Sequence, residues 1–187
     1  MSNSETGFSL IEFCLALALL ALMLASGLPA LSRSIERNQA RVAIETIYRA
    51  VNLTRFTAIN HGVLTTLCRS ADGQSCSGNW QQGFIVFTDH NADRLVNGDD
   101  QLIRIFPAPA ASGTLKFRAF QNKQYLQMTP QGFTRHQNGN FTYCPESGEA
   151  ELAQQLIINH SGRTYFARDN DSDGLKEGAN GKAISCE

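Results

Sequence analysis

Residues 13–31 read FCLALALLALMLASGLPAL, an apolar run without one charged side chain. At 1.5 Å of rise per residue, a helix of that length covers a hydrocarbon core of about 30 Å. The helical pattern continues beyond it. Residues 32–60 contain neither Gly nor Pro, and Ile35, Val42, Ile44, Ile47, Val51, Ala58 and Ile59 recur at mixed three- and four-residue steps. Arg33, Arg37, Arg41, Arg49 and Arg55 lie between them, against only Glu36 and Glu45. That charge pattern reads as a solvated helix face, with a partner or DNA surface as the alternative. Gly62, following Asn60 and His61, supplies a stop signal. The spacing therefore predicts one long helix, its first half suited to a membrane and its second to a scaffold.

Beyond Gly62 the period changes. Short β-branched or aromatic runs occupy residues 63–69, 83–88, 102–106, 114–120, 125–129, 141–144, 156–159 and 163–167. Turn-rich pieces at 70–79, 89–101 and 138–140 separate them. Many short strands after a long helix predict an α+β chain with an antiparallel β-sheet domain packed on the helix. There is no internal repeat and no low-complexity linker.

Composition narrows the picture. With 187 residues the chain suits one sizeable domain, and 16 basic against 17 acidic side chains leave a net charge of −1. No global field therefore drives it onto nucleic acid or an acidic membrane. The apolar run makes a purely cytosolic enzyme a poor fit. A cleaved signal peptide is one alternative for that run, and Ala21 to Ala25 imitate a peptidase site. Such peptides carry a shorter apolar region behind a basic one, however, and residues 1–7 hold no Lys or Arg.

Glu12 is the decisive residue. A carboxylate at the mouth of an apolar run costs about 2.5–3.5 kcal/mol at a bilayer centre and marks function. The string Gly7-Phe8-Ser9-Leu10-Ile11-Glu12 resembles the prepilin peptidase site of type IV pilins and type II secretion pseudopilins. The resemblance implies cleavage after Gly7 and N-methylation of the new amino terminus at Phe8. It also implies an assembly role for Glu12, which would pair with the terminal amine of a neighbouring subunit. A buried carboxylate and ammonium neutralise each other only when docked in register. Pro29 falls where pilins commonly carry a Pro that kinks or locally melts the helix, and Gly27 would soften the same place.

The β part resembles the H-type pseudopilin and FimT/FimU minor pilin family. The matching strings are Trp80-Gln81-Gln82-Gly83-Phe84-Ile85-Val86-Phe87-Thr88-Asp89, Leu102-Ile103-Arg104, Tyr125-Leu126-Gln127-Met128-Thr129-Pro130-Gln131-Gly132 and Ile158-Asn159-His160-Ser161-Gly162-Arg163. The implied pilin fold is a long N-terminal helix under two packed antiparallel sheets. Its division would be a leader at 1–7, a transmembrane and assembly helix at 8–32, and a periplasmic globular domain at 33–187. Within that domain, 33–61 would be helix and 62–187 the β part.

Cys14 reads as a small apolar residue of the bilayer segment. Cys68, Cys76, Cys144 and Cys186 fall in the exported part, where oxidation is permitted. Four Cys allow three connectivities; Cys68–Cys76, closing a polar loop, and Cys144–Cys186, fastening the tail, are the favoured pair. Zinc is poorly served, since no Cys-x-x-Cys occurs and His61, His90, His136 and His160 are scattered. Asp169, Asp171 and Asp173 with Gly174 match the first half of an EF-hand calcium loop. Position twelve is Asn180, and Glu177 would replace it only in an irregular loop. A second acidic loop carries Asp89, Asp93, Asp99 and Asp100. Asx-rich turns explain both loops without calcium, and no other cofactor is implied. No nucleophile elbow, HExxH helix or phosphate loop is present, so catalysis is not expected.

In DNA-uptake members of the family, a Gly-Arg-x-Arg motif resembles a phosphate clamp. Here Gly162-Arg163-Thr164-Tyr165 lacks the second Arg. Arg163 and Arg168, with Arg135, His136 and Lys182 nearby, are the DNA candidates, and the acids that follow would repel phosphate. Taken together, the resemblance implies a minor type IV pilin that primes or caps a pilus. Its partners would be other major and minor pilins, the prepilin peptidase and the inner-membrane assembly machinery. It would sit in the inner membrane as a single-pass protein with a periplasmic domain, then in the pilus at the cell surface. A DNA-binding minor pilin for natural transformation and an H-type pseudopilin of type II secretion are the alternatives.

Overall fold

The computed structural model describes residues 9–109 and 112–186, and the expected cleavage site at Gly7 and Phe8 lies outside them. The chain divides into two compact units, Met1–Ile35 and Glu36–Glu187. Helix α1 runs Leu10–His61. In the first unit its described residues are all exposed, and α1 is long and apolar enough to cross a membrane. The helix runs unbroken through Gly27 and Pro29. Pro removes one backbone N–H from the ladder. Around it the Ser26 hydroxyl donates to Leu22 O and Met23 O, and the Ser32 hydroxyl to Pro29 O.

In the second unit α1 buries Ala40, Ala43, Ile44, Ile47, Ala50, Val51, Thr54, Thr57 and Ala58. Steps of three and four keep these on one stripe, and its small residues allow close approach. Val42 and Ile59 are instead exposed. The helix ends at His61, where Gly62 adopts a φ of +66° that a Cβ would strain.

Eight strands follow: β1 Thr65–Arg69, β2 Gly83–Thr88, β3 Leu102–Pro107, β4 Thr114–Ala119, β5 Tyr125–Met128, β6 Gly139–Cys144, β7 Gln154–Ile158 and β8 Thr164–Phe166. They form two antiparallel sheets, ordered β3-β2-β1-β5 and β4-β6-β7-β8. The core lies between the helix stripe and both sheets. At its centre the Trp80 ring meets Phe84, Phe117 and Phe141 with centroids 4.8–6.0 Å away, and the Trp80 indole N–H donates to Gln124 Oε1.

Two disulfides fasten the surface. Cys68–Cys76 closes the loop after β1, and Cys144–Cys186 ties the C-terminal tail to β6, beside the small cluster of Ala153, Ala167 and Ile184. Cys14 is free and exposed.

Candidate functional site

The start of α1 is a reciprocal cap. Ser9 N–H donates to Glu12 Oε2 at 2.9 Å, and Glu12 N–H lies 3.4 Å from the Ser9 hydroxyl oxygen. This is the capping-box pattern, Ser at the N-cap and Glu three residues on, with the acid at the positive end of the helix dipole. Ser9 was absent from the sequence-level candidates, although Ser-x-x-Glu ahead of an apolar run is a legible signal. The cap occupies Glu12 Oε2. Behind it Leu10, Ile11, Phe13, Leu15, Leu22 and Met23 stand exposed, a surface suited to lipid or to other apolar helices.

The acidic loops are held as turns. Asp169 accepts the Ser172 and Gly174 N–H groups, Asp171 that of Asp173, and Asp173 that of Leu175. Glu177 Oε2 takes both the backbone and side-chain N–H of Asn170. One carboxylate oxygen from each of Asp169, Asp171, Asp173 and Glu177 falls within 4.8 Å of the others. Asn180, at the twelfth EF-hand position, instead accepts Lys182 N–H. The loop thus departs from the EF-hand plan, and its acids satisfy backbone N–H groups as Asx turns do.

In the second acidic loop Asp89 is fully buried and binds the sheet. Its Oδ2 accepts the Thr66 hydroxyl at 2.6 Å and Gln127 Nε2 at 2.9 Å, joining the end of β2 to β1 and β5. Burial raises the Asp100 carboxyl, but backbone and ring bonds from His90 outweigh it and hold the group below its ordinary value. Asn97 and then the Leu95 N–H lower Asp93. Asp99 is exposed and outside the cluster of Asp89, Asp93 and Asp100.

Gly162 closes the β7–β8 turn. Its N–H donates to Asn159 O, and Asn159 Oδ1 accepts the Arg163 N–H and the Ser161 hydroxyl. A Cβ on Gly162 would lie 2.2 Å from Gly132 O, which already accepts Arg55 Nε at 3.0 Å. The glycine therefore serves a contact between two turns and the helix. Arg163 precedes β8 and Arg168 follows it, up to roughly 16 Å apart along an extended chain. Arg168 lines a shallow recess with Glu177, and its carbonyl accepts the Glu177 N–H. Arg163 and Arg168 thus sit at opposite ends of a strand, the second beside an acid. Arg135 and His136 lie in the loop after β5, and Lys182 lies in the tail.

The sequence profile of the type II transport protein GspH family matches residues 43–162, from the buried face of α1 through all strands but the last. The chain belongs to the GspH family. Three solved structures share the fold of this GspH-family chain. The type IV minor pilin FimU of Pseudomonas aeruginosa PAO1 is 19% identical with a TM-score of 0.59, over 81% of this chain and 98% of that one. A second crystal form of FimU gives 16% and 0.55, over 79% and 99%. The minor pseudopilin EpsH of the Vibrio cholerae type 2 secretion system is 10% identical with a TM-score of 0.52, over 71% and 99%. No curated protein sequence matches the chain. The shared architecture is the pilin fold: one long N-terminal helix packed on two antiparallel sheets. Pilin and pseudopilin families are structural proteins that assemble with other pilins.

Proposed function

We propose that this GspH-family chain is a minor type IV pilin of the FimU/FimT kind, cut by prepilin peptidase between Gly7 and Phe8 and methylated on Phe8. It waits in the inner membrane through residues 8–32, with residues 33–187 in the periplasm, and then enters the pilus or its priming complex. The observation that carries this reading is the exposed apolar start of α1, headed by Glu12, on a pilin fold. Glu12 is costly in an apolar fibre core until an ammonium docks against it, which makes the carboxylate a register mark for assembly. The role needs no catalytic group, and neither calcium at Asp169, Asp171 and Asp173 nor another cofactor.

Glu12→Ala tests it. The β sheets should keep their circular dichroism, while the protein disappears from sheared pili in the host. Normal incorporation would overturn the assembly role of Glu12. The GspH profile and the EpsH likeness support a second reading, the H-type pseudopilin. Deleting the gene separates the two: loss of pili with secretion intact supports the pilin, and loss of secretion with pili intact supports the pseudopilin. DNA binding through Arg163 and Arg168 is the weaker alternative, given their separation and the neighbouring acids.

A further inference from the structure

Strand β4 ends its sheet, with β6 on one side and, among the described residues, no strand on the other. Its pairing with β6 is regular from Thr114↔Cys144 to Ala119↔Gly139, without a bulge or a proline. The other edges are less fit to receive a strand. β3 ends in Pro107 and pairs β2 through a register shift, while β5 and β8 are shorter. Phe117 O turns away from β6 and accepts Gln124 Nε2 at 3.3 Å, which sets the alternation along β4. Leu115 and Phe117 direct their backbone groups to the open side, and Lys116 and Arg118 direct theirs to β6.

Two recesses of about 270 and 290 Å³ include Lys116 and Arg118; the first lies over the outer face of β4, β6 and β7 beneath the C-terminal tail, and the second lies along the β4 edge beside Trp80 and Gln124. Lys182 adds a cation to the first and Arg69 to the second; among the described residues no carboxylate lines either. In a chain of net charge −1, this is a local cationic surface on an open strand edge.

We propose that the β4 edge receives an extended acidic segment of a partner subunit by strand addition. The incoming strand's backbone pairs with Leu115 and Phe117, displacing the long Gln124 contact. Its alternate side chains stand beside Lys116 and Arg118 on the outer face, where an opposite charge stabilises and a like charge does not. A nucleic acid backbone answers the cations but offers no N–H for the edge carbonyls, so the geometry favours a peptide. The kind of partner rests on the assembly reading above, whereas binding at this edge is independent of Glu12, and either can fail alone.

The test uses the full chain in detergent micelles and a fluorescein-labelled peptide of alternating Asp and Val, followed by anisotropy at low salt. Arg118→Gln with Lys182→Gln should weaken binding about tenfold. Peptide N-methylated at the Val positions should lose binding, because those N–H groups face β4, while methylation at the Asp positions should leave it. Equal loss from both methylations, or tighter binding of a single-stranded thymidine oligonucleotide, would overturn the proposal. Absence of peptide binding would also overturn it and leave Lys116 and Arg118 as charges that keep strands off the edge.

Discussion

Replacing each disulfide by two serines should cost stability, more for the bridge that closes the longer loop. Cys68–Cys76 spans 8 residues and Cys144–Cys186 spans 42. With chain entropy scaling as the logarithm of loop length, the shorter loop contributes about 2.5 kcal/mol and the longer about 4 kcal/mol at 25 °C. The difference, about 1.5 kcal/mol, depends only on the ratio of the loops and is the firmer number. Both bridges pack on small apolar clusters, Cys68–Cys76 beside Ile85 and Phe87 and Cys144–Cys186 beside Ala153, Ala167 and Ile184, so loop length carries the difference. The assay is urea unfolding of the unit from Glu36 onward, comparing the parent with Cys68→Ser/Cys76→Ser and with Cys144→Ser/Cys186→Ser. The midpoints should fall in that order at similar m-values. Equal losses, a larger loss from the shorter loop, or losses under about 1 kcal/mol for both would refute the loop-entropy reasoning.

Three further outcomes follow from local geometry. Gly162→Ala should lower stability by about 3 kcal/mol or more, since its φ is +72° and the new Cβ would meet Gly132 O at 2.2 Å. Gly62→Ala, at a similar φ but with open space around it, should cost only about 1 kcal/mol; thermal melts of the two compare them directly. Asp72 is held well below its ordinary carboxyl value of 3.8 by the Ser75 hydroxyl first, then by the Gln74 and Ser75 amides. Its contribution to the loop is therefore present above that value and lost only as pH falls through the lower folded one. Carbon NMR titration should show this depressed midpoint, and Ser75→Ala should move it upward.

The elements that periodicity alone can mark were legible. The helix end at His61 and Gly62 and the bounds of β2 followed from one stop signal and one unbroken β-branched and aromatic run. The start of β6 did not. Gly139 reads as a turn beside Asn138 and Asn140, yet it begins the strand because Arg118 O passes where its Cβ would be. Gln154 and Gln155 look like loop residues but open β7, with the Gln155 amide donating to Thr142. Apolarity alone does not mark the buried stripe of α1: Val42 and Ile59 are exposed, while Ala40, Ala43, Thr54 and Thr57 are buried. Helix phase decides burial there, and small residues permit the contact. At the site, the charge on Glu12 and the Ser-x-x-Glu spacing of its cap with Ser9 are local and readable in the chain, whereas the tie that Asp89 makes to Thr66 and Gln127 depends on tertiary placement.

The central claim is that residues 1–7 are a leader and that the apolar start of α1 remains on the mature chain. Intact-mass and amino-terminal analysis of the protein taken from host membranes tests this most directly. The account predicts a chain that begins at Phe8, carries one methyl group on its amine and retains the whole of α1. A chain that still begins at Met1, or one cut near Ala25 that has lost the apolar run, would contradict it.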